Sequence, residues 1–213
     1  MNNKSLRVIQ HLRNTMESDW GFNPEESRCI ELFARTGDWH TKELFKGCKD
    51  ITLLEIDNKY ESELKSNFPK AKIHITDSIV WTDGIEASGK SIREYQHKFN
   101  FVSVDNPLGC YGNYCENFEI INHVDSLLAD DSVLLVNIVS KPYGKRDSIW
   151  NKKRTAFYGI PFVDKLEFNT ILNTYRNILD KKGLTVEDYE YICREYAEET
   201  DYFYYLCLKL KRK

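Results

Sequence analysis

Residues 28–38 read Arg-Cys-Ile-Glu-Leu-Phe-Ala-Arg-Thr-Gly-Asp, and this stretch decides the expected fold. Residues 29–33 are apolar apart from Glu31 and predict a buried strand. The small residues Ala34 and Gly37 then predict a loop into a helix, in which Gly37 can adopt a positive φ. A carboxylate late in a strand, followed by such a loop, lets backbone amides approach a cofactor. Because the loop holds one glycine only, an ordinary strand-to-helix turn is the alternative.

Apolar runs of strand length recur along the chain. They lie at 51–56, 72–75, 99–104 and 132–139, with helical stretches between them, one of which is predicted at 118–128. Strands without polar alternation that are joined by helices are typical of a parallel sheet covered on both faces. Two β-rich runs, 189–196 and 202–210, flank a short polar turn and predict an antiparallel hairpin. We therefore expect an α/β fold with a mostly parallel sheet, helices on both faces and a C-terminal antiparallel hairpin.

The composition is that of one globular domain. The chain has 213 residues, 41% of them hydrophobic, and contains no repeat, low-complexity tract or linker. Residues 1–213 are therefore expected to form a single domain, with a leading helix and loop at 1–27. The net charge of −3 excludes a general attraction to nucleic acid, although 30 basic residues allow local basic patches.

Neither a membrane segment nor a metal site is expected. The longest apolar run, residues 133–139, is broken by Asn137 and is too short to span a bilayer. The N-terminus lacks the apolar core of a signal peptide, so we expect a cytoplasmic protein without a membrane partner. The six cysteines form no Cys-x-x-Cys pair and are expected to be reduced. A metal at Cys110 and Cys115 would lack two nearby ligands.

Polar side chains follow the next three predicted strands where each strand ends. Glu55 ends the second strand, and its two oxygens suit both hydroxyls of a ribose. Asp77 follows the third strand, where it can accept a hydrogen bond from an adenine amine. Asp105 and Asn106 follow the fourth strand, and Pro107 fixes the turn after them. Since the carboxyl ends of parallel strands share one edge, these groups are expected to face one cleft. Solvated acidic strand ends are the alternative.

Residues 28–78 and 99–109, with the final hairpin, resemble a class I, Rossmann-like methyltransferase that uses S-adenosylmethionine (SAM). The pattern is most similar to the adenine-N6 methyltransferases of ribosomal RNA and DNA. In these, a Glu-x-x-x-Gly-x-Gly loop precedes Glu-Ile-Asp, then an Asp, then Asn/Asp-x-Pro-aromatic. Glu31 and Gly37 match the loop, whereas Phe33 and Arg35 stand where it has small residues. Leu108 stands where the family has an aromatic residue that stacks on a flipped base.

The resemblance implies SAM as the cofactor and methyl transfer to a nucleophile as the reaction. Asp105 is the expected hydrogen-bond acceptor for that nucleophile, assisted by Asn106 and Pro107. The implied cofactor contacts come from all four strand ends: Glu31, Ala34, Arg35, Gly37, Glu55, Ile56, Asp77, Ser78 and Asp105.

The segment 141–165 is expected on the substrate side of the cleft. Residues 141–154 carry six basic side chains against one acidic, and aromatic residues are interleaved with them. This composition suits a single-stranded or flipped nucleic acid, with a solvated loop and helix face as the alternative. The candidate substrate contacts are Tyr111, Lys145, Arg146, Trp150, Lys152, Lys153 and Arg154.

The sequence thus favours a SAM-dependent methyltransferase with nucleic acid as the expected substrate. The first alternative is a catalytically silent module of the same fold that binds nucleic acid or a partner protein, and Arg35 and Leu108 are its support. A methyltransferase acting on a small molecule is the second. Nicotinamide cofactors are disfavoured, because the dense glycine fingerprint of their sites is absent.

Overall fold

A computed structural model describes residues 3–38, 40–84, 93–111, 114–194 and 202–213, with the backbone only at residues 3–5, 93, 111 and 114. Its strands are β1 (Arg28–Glu31), β2 (Asp50–Glu55), β3 (Lys72–Ile75), β4 (Phe99–Val104), β5 (Cys110–Tyr111), β6 (Tyr114–Cys115), β7 (Leu128–Val139), β8 (Leu184–Cys193) and β9 (Phe203–Arg212). Strands β5 and β6 form a small antiparallel ladder, and the other seven form one sheet.

The strand order of the large sheet is β3-β2-β1-β4-β7-β9-β8. Strands β1, β2, β3, β4 and β7 are parallel, and β9 runs antiparallel to both of its neighbours, β7 and β8. Only β9 therefore opposes the rest, since β8 at the edge has the same direction as the central strands. The mostly parallel sheet with an antiparallel C-terminal hairpin confirms the predicted fold class.

The helices are α1 (Asn3–Asn14), α2 (Thr41–Leu44), α3 (Glu61–Asn67), α4 (Ser78–Thr82), α5 (Glu116–Ile120), α6 (Ile149–Tyr158) and α7 (Phe168–Lys181). A π-helical turn, Thr15–Asp19, extends α1. The predicted leading helix is thus present, and most crossovers between strands contain a short helix or a 3₁₀ turn.

Two apolar cores cover the two faces of the sheet. Successive side chains of a strand point to opposite faces. Ile30 and Val102 accordingly lie in one core with α5, α6 and α7, whereas Cys29 and Phe101 lie in the other with α1 and α3. Because both faces are buried, the strands carry continuous apolar runs, which explains why such runs predicted their positions.

Two boundaries differ from the predicted ones. The helix predicted at 118–128 divides into α5 and a 3₁₀ turn, Val124–Ser126, because β7 already begins at Leu128, which pairs with Phe99. Strand β8 starts five residues earlier than predicted, where Leu184 pairs with Arg212 at the end of β9. The predicted turn at 197–201 lies outside the described residues.

In the part of the chain that the structure describes, every helix is too short or too polar to cross a membrane.

Candidate active site at the carboxyl edge of the sheet

A cavity of about 470 Å³ opens at the carboxyl ends of the central strands. Sites for small molecules have volumes of roughly 300–1,000 Å³, so the cavity has the size of a cofactor site. It is lined by residues 32–37, 55–56, 77–79 and 105–108, together with Thr41, Tyr60, Glu116, Arg194 and Phe203. The structure therefore brings together most of the cofactor residues that the sequence predicts.

The loop after β1 is held tightly against the neighbouring strands. The Ala34 amide donates to the Leu54 carbonyl at 2.9 Å, and the Gly37 amide donates to the Ala34 carbonyl at 2.7 Å. Gly37 has a φ of +67°, and a Cβ there would lie 2.4 Å from the Phe68 ring, so only glycine fits. The single glycine of this loop is thus required by its turn and by the packing of the ring behind it.

Arg35 occupies the exposed crest of the same loop. Its φ of +50° places a non-glycine residue in the left-handed region, which is uncommon. Its guanidinium lies 5.6 Å from the centre of the Tyr60 ring, within the range of a cation–π contact. The side chain is therefore directed along the rim of the cavity towards Tyr60, and the cavity remains open.

Glu55 presents a buried carboxylate to the cavity. Its Oε2 accepts from the Arg35 amide at 2.7 Å, and its Oε1 accepts from the Asp57 amide at 2.8 Å. A carboxylate offers about four acceptor positions, so one remains on each oxygen. Two oxygens fixed by backbone amides, each with an acceptor position left, form a suitable receptor for two adjacent hydroxyls.

Asp77 and Ser78 form the start of α4 beside Glu55. Asp77 caps this helix through Oδ1, which accepts from the amides of Ile79 at 2.8 Å and Val80 at 3.3 Å. The Ser78 hydroxyl donates to the Leu32 carbonyl and so ties α4 to the loop after β1. The predicted contact residues Asp77 and Ser78 line the cavity, and both also have a local structural role.

Asp105 is the centre of a buried polar network. Its carboxylate forms a bidentate ion pair with Arg194, at 2.7 Å from Nη1 to Oδ1 and 3.0 Å from Nη2 to Oδ2. The side-chain amide of Asn137 donates from Nδ2 to Oδ1 at 2.6 Å, and the Tyr205 hydroxyl donates to Oδ2 at 3.2 Å. His40 Nδ1 lies 3.6 Å from Oδ2. Both oxygens of Asp105 are thus fully engaged with protein groups.

This network changes the role predicted for Asp105. Burial opposes its ionisation and raises its pKa, but the Arg194 guanidinium and the His40 ring outweigh that effect, and the pKa lies at about 2. A carboxylate of such low basicity, already holding four donors, is a poor acceptor for a substrate proton. The geometry therefore favours a structural role for Asp105 at the floor of the cavity, where the sequence indicates an acceptor.

Glu31 lies beneath the cavity and does not line it. The side chain is buried at the end of β1, where Oε1 accepts weakly from the amides of Phe33 at 3.5 Å and Asp105 at 3.4 Å. Burial raises the pKa of Glu31 to about 8, and the adjacent Asp105 carboxylate acts in the same direction. Glu31 is therefore protonated at neutral pH and supports the loops that form the site.

Glu116 at the start of α5 is the fourth carboxylate of the cavity, and it lies beside the loop after β4. The Asn106 side chain donates to Glu116, the first residue of α5, and both residues line the cavity. Burial raises the pKa of Glu116, and the carboxylates of Asp77 and Glu55 raise it further. The Pro107 carbonyl accepts from the Trp150 indole at 3.0 Å, so it is occupied by the protein itself.

Two of the predicted substrate residues are buried, which corrects their assignment. Trp150 packs in the core against Phe118, with its indole nitrogen bound to Pro107. Arg154 is fully buried and donates to the carbonyls of Ser140 and Val163. Neither side chain is available to a ligand at the surface, because each lies on the inner face of α6.

The other predicted substrate residues divide by exposure. Lys153 is half-buried and forms an ion pair with Glu119 at 2.5 Å. Lys145, Arg146 and Lys152 are exposed on the loop before α6 and on its outer face. The side chain of Tyr111 lies outside the described part of the structure. The exposed members of the basic segment are thus fewer than the sequence predicts.

Sequence reasoning missed Glu116, Arg194, Tyr60 and Phe203 as residues of the site. Glu116 and Arg194 follow short or edge strands, and neither belongs to a recognisable motif. Of these four residues, Tyr60 could have been predicted from the sequence, because it lies five residues after Glu55 at the turn into α3. Among the described residues, no group of three or more histidine, cysteine, aspartate or glutamate side chains has the geometry of a metal site.

Comparison with known proteins places the fold in one group. Neither the protein-family models nor the curated protein sequences give a match to the chain. Among solved structures it is similar to one described as a transferase of Pyrococcus horikoshii (TM-score 0.60, 11% identity), covering 100% of this chain and 65% of that one. It is also similar to TYW2 of M. jannaschii, solved in complex with AdoMet (TM-score 0.59, 12% identity), covering 100% and 78% of the two chains.

A third similar structure is the 1,6-didemethyltoxoflavin-N1-methyltransferase of Burkholderia thailandensis, solved with S-adenosylhomocysteine (TM-score 0.55, 9% identity), covering 97% of this chain and 78% of that one. The chain spans just under two thirds of the Pyrococcus protein. Together with the strand order, these likenesses give the chain the Rossmann-like fold of class I SAM-dependent methyltransferases.

Proposed function

We propose that this chain, which has the class I methyltransferase fold, binds SAM in the cavity at the carboxyl edge of the sheet and transfers its methyl group to a substrate. The observation that carries the proposal is the convergence of Glu55, Asp77 and the loop after β1 on one cavity of about 470 Å³. TYW2 of M. jannaschii, of similar fold, is solved in complex with AdoMet.

The residues present fit the cofactor. The two oxygens of Glu55 would accept the ribose hydroxyls, because backbone amides hold both oxygens and leave one acceptor position on each. Ile56 is 56% exposed, an unusual state for a large apolar side chain, and a planar ring bound between it and Ile79 would cover it. Asp77 lies at the same end of the cavity, where it would accept from the adenine amine.

The cofactor supplies the reactive group, and the protein has three tasks in the transfer. SAM supplies a methyl group activated by a positively charged sulfur. The protein aligns the nucleophile with that methyl group, excludes water and accepts the proton that the nucleophile loses. The carboxylates that line the cavity also complement a cationic cofactor.

We further propose a nucleic-acid base as the methyl acceptor. Adenine is the first base to test, with its exocyclic amine as the nucleophile. Lys145, Arg146 and Lys152 are exposed cations that suit phosphates, and exposed Tyr143 offers a stacking surface beside them. The described cysteines are free thiols, which suits a reaction in a reducing compartment such as the cytoplasm.

A catalytically silent module of the same fold is the second candidate. The observation in its favour is the ion pair of Arg194 with Asp105, which neutralises the carboxylate of the Asp-x-Pro motif. Such a module would bind SAM or a partner without transferring the methyl group.

Calorimetric titration with SAM, followed by transfer of labelled methyl from SAM, separates these possibilities. We expect SAM to bind one site per chain, and radiolabel to appear in RNA or DNA. Binding without transfer to RNA, DNA or metabolite pools would favour the silent module. Label in the metabolite pool alone would replace the nucleic acid with a small molecule, and no SAM binding would refute the proposed function.

A further inference from the structure

Glu116 lies directly opposite the loop that follows β4. The ladder of β5 and β6 folds the chain back, so that the Glu116 amide donates to the Gly109 carbonyl at 3.0 Å. The Asn106 side chain crosses above Gly109 and donates to the Glu116 carboxylate. A Cβ at Gly109 would lie 2.3 Å from both Asn106 Nδ2 and Glu116 Oε2, so glycine leaves room for this contact.

The surroundings of Glu116 differ from those of Asp105. Among the described residues, no lysine, arginine or histidine forms an ion pair with Glu116. The charged groups that act on it from the packed elements are Asp77 at the start of α4 and Glu55 at the end of β2. Burial raises the pKa of Glu116, and these two negative groups raise it further, so its carboxylate takes up a proton more readily than an isolated one.

We propose that Glu116 is the proton acceptor of the methyl transfer, taking the proton that a neutral N–H or O–H nucleophile loses. The inference rests on the proposed function, because it assigns a role within the same cavity. Three observations support it: Glu116 lines the cavity, its carboxylate is oriented by Asn106, and the alternative acceptor Asp105 is engaged by Arg194. Asn106 is then a positioning residue.

The step balances without any further reactant. The lone pair of the nucleophile forms a bond to the methyl carbon, while the carbon–sulfur bond breaks and its electron pair stays on sulfur. The nucleophile becomes positively charged and loses one proton to the Glu116 carboxylate. The products are a neutral methylated substrate, a neutral thioether and a protonated Glu116, which returns its proton to water after the products leave.

This assignment also narrows the substrate class. A carboxylate with two acidic neighbours would repel a phosphate or carboxylate placed at the reacting atom. The nucleophile is therefore neutral and proton-bearing, as an exocyclic base amine or a hydroxyl is. Phosphates of a nucleic acid would lie away from Glu116, on the side of Lys145 and Arg146.

The test compares two analogues and needs no methyl acceptor. S-adenosylhomocysteine lacks the methyl group, whereas sinefungin carries an ammonium group on the carbon that replaces sulfur. A carboxylate beside the transferred methyl would stabilise that ammonium, so wild type should bind sinefungin more tightly, relative to S-adenosylhomocysteine, than Glu116→Gln does. We expect the ratio of the two affinities to fall about tenfold in Glu116→Gln, with S-adenosylhomocysteine affinity within about threefold of wild type.

The matched control is Glu119→Gln, one turn further along α5, whose carboxylate pairs with Lys153 outside the cavity. Its affinity ratio should equal that of wild type. Glu116→Asp keeps the charge and should keep part of the preference, which guards against a general effect of the substitution on folding. With an RNA pool that accepts label from SAM, Glu116→Gln should lower single-turnover transfer at least about 100-fold.

Three other outcomes would overturn either the role of Glu116 or the proposed function. An unchanged ratio in Glu116→Gln, with both analogues bound, would overturn the role of Glu116 and leave the proposed function standing. A loss of S-adenosylhomocysteine affinity above about tenfold would also overturn it, because Glu116 would then contact the cofactor's nucleoside. If neither analogue nor SAM binds wild type, the proposed function itself fails.

Discussion

Glu55 and Asp105 are the same kind of group in the same kind of place, and the structure gives them different roles. Both are carboxylates at the carboxyl end of a central strand, and both line the cavity. Glu55 is held by two neutral backbone amides, whereas Asp105 is held by a guanidinium, an amide, a hydroxyl and a nearby imidazole. Acceptor capacity remains on Glu55 and is exhausted on Asp105. A position at a strand end therefore predicts that a carboxylate faces the cavity. Its hydrogen-bond partners decide whether it can still accept a bond from a ligand.

Removal of Arg194 should have the largest effect, and this effect should be on the free energy of unfolding. Arg194→Met leaves Asp105 as a buried, unpaired charge beside Glu31, and we expect a loss of about 3–5 kcal/mol in the free energy of unfolding. Denaturant titration measures it, and Arg146→Met, at an exposed site, is the control. Adding Asp105→Asn to Arg194→Met should restore part of the loss. A loss below about 1 kcal/mol would mean that the ion pair is not what holds this floor together.

The pH dependence of stability should separate Glu31 from Asp105. The pKa of Glu31 is raised to about 8, so the folded protein binds a proton there that the unfolded chain releases. Stability should therefore fall as pH rises from about 4.5 to about 8, by at most about 1.4 kcal/mol per pH unit, and this component should vanish in Glu31→Gln. Denaturation at each pH, with wild type and variant compared, isolates it. Parallel curves for the two proteins would contradict the raised pKa.

Asp105 should act in the opposite direction and in another window. Its pKa is lowered to about 2, so its contribution to stability is present above the pKa of about 3.9 in the unfolded chain and is lost as pH falls towards 2. Asp105→Asn should remove this acid-labile component. It should keep most of the change between pH 4.5 and 8, which becomes smaller because the Asp105 charge also raises the pKa of Glu31. If Asp105→Asn flattened the higher window instead, the protonated member of the pair would be Asp105.

Glu55 should affect the affinity for SAM. Glu55→Ala removes the acceptors proposed for the ribose hydroxyls, and we expect SAM affinity to fall by about 1–3 kcal/mol in calorimetric titration. Glu63→Ala is the matched control, because Glu63 is an exposed carboxylate on α3. Unchanged affinity in Glu55→Ala would withdraw the ribose assignment and make Glu55 a second structural carboxylate like Asp105.

The sequence predicts the polar ends of β1 to β4 well, because apolar runs in a parallel sheet fix the edge at which the next residues emerge. It does not predict the partner of Asp105. Arg194 is 89 residues away, and it emerges at the same edge as Asp105 because β8 runs in the direction of the central strands. The basic segment shows the same limit. Composition locates its six cations, but the face of α6 decides that Arg154 is buried and Lys152 exposed.

The smallest expected effect concerns that segment. Replacing Lys145, Arg146 and Lys152 with alanine should weaken binding of single-stranded RNA and lower the slope of log affinity against log salt by about 0.7 per phosphate contact, or about 2 in all. Fluorescence anisotropy over a salt series measures the slope, with the equally exposed Lys46, Lys70 and Lys181 replaced together as the control. Arg154 should contribute nothing to the slope, because its guanidinium is bound to Ser140 and Val163 in the interior. If the slope stays unchanged after the first triple replacement and falls after the control one, the phosphates contact the control lysines, and the basic segment does not bind the nucleic acid.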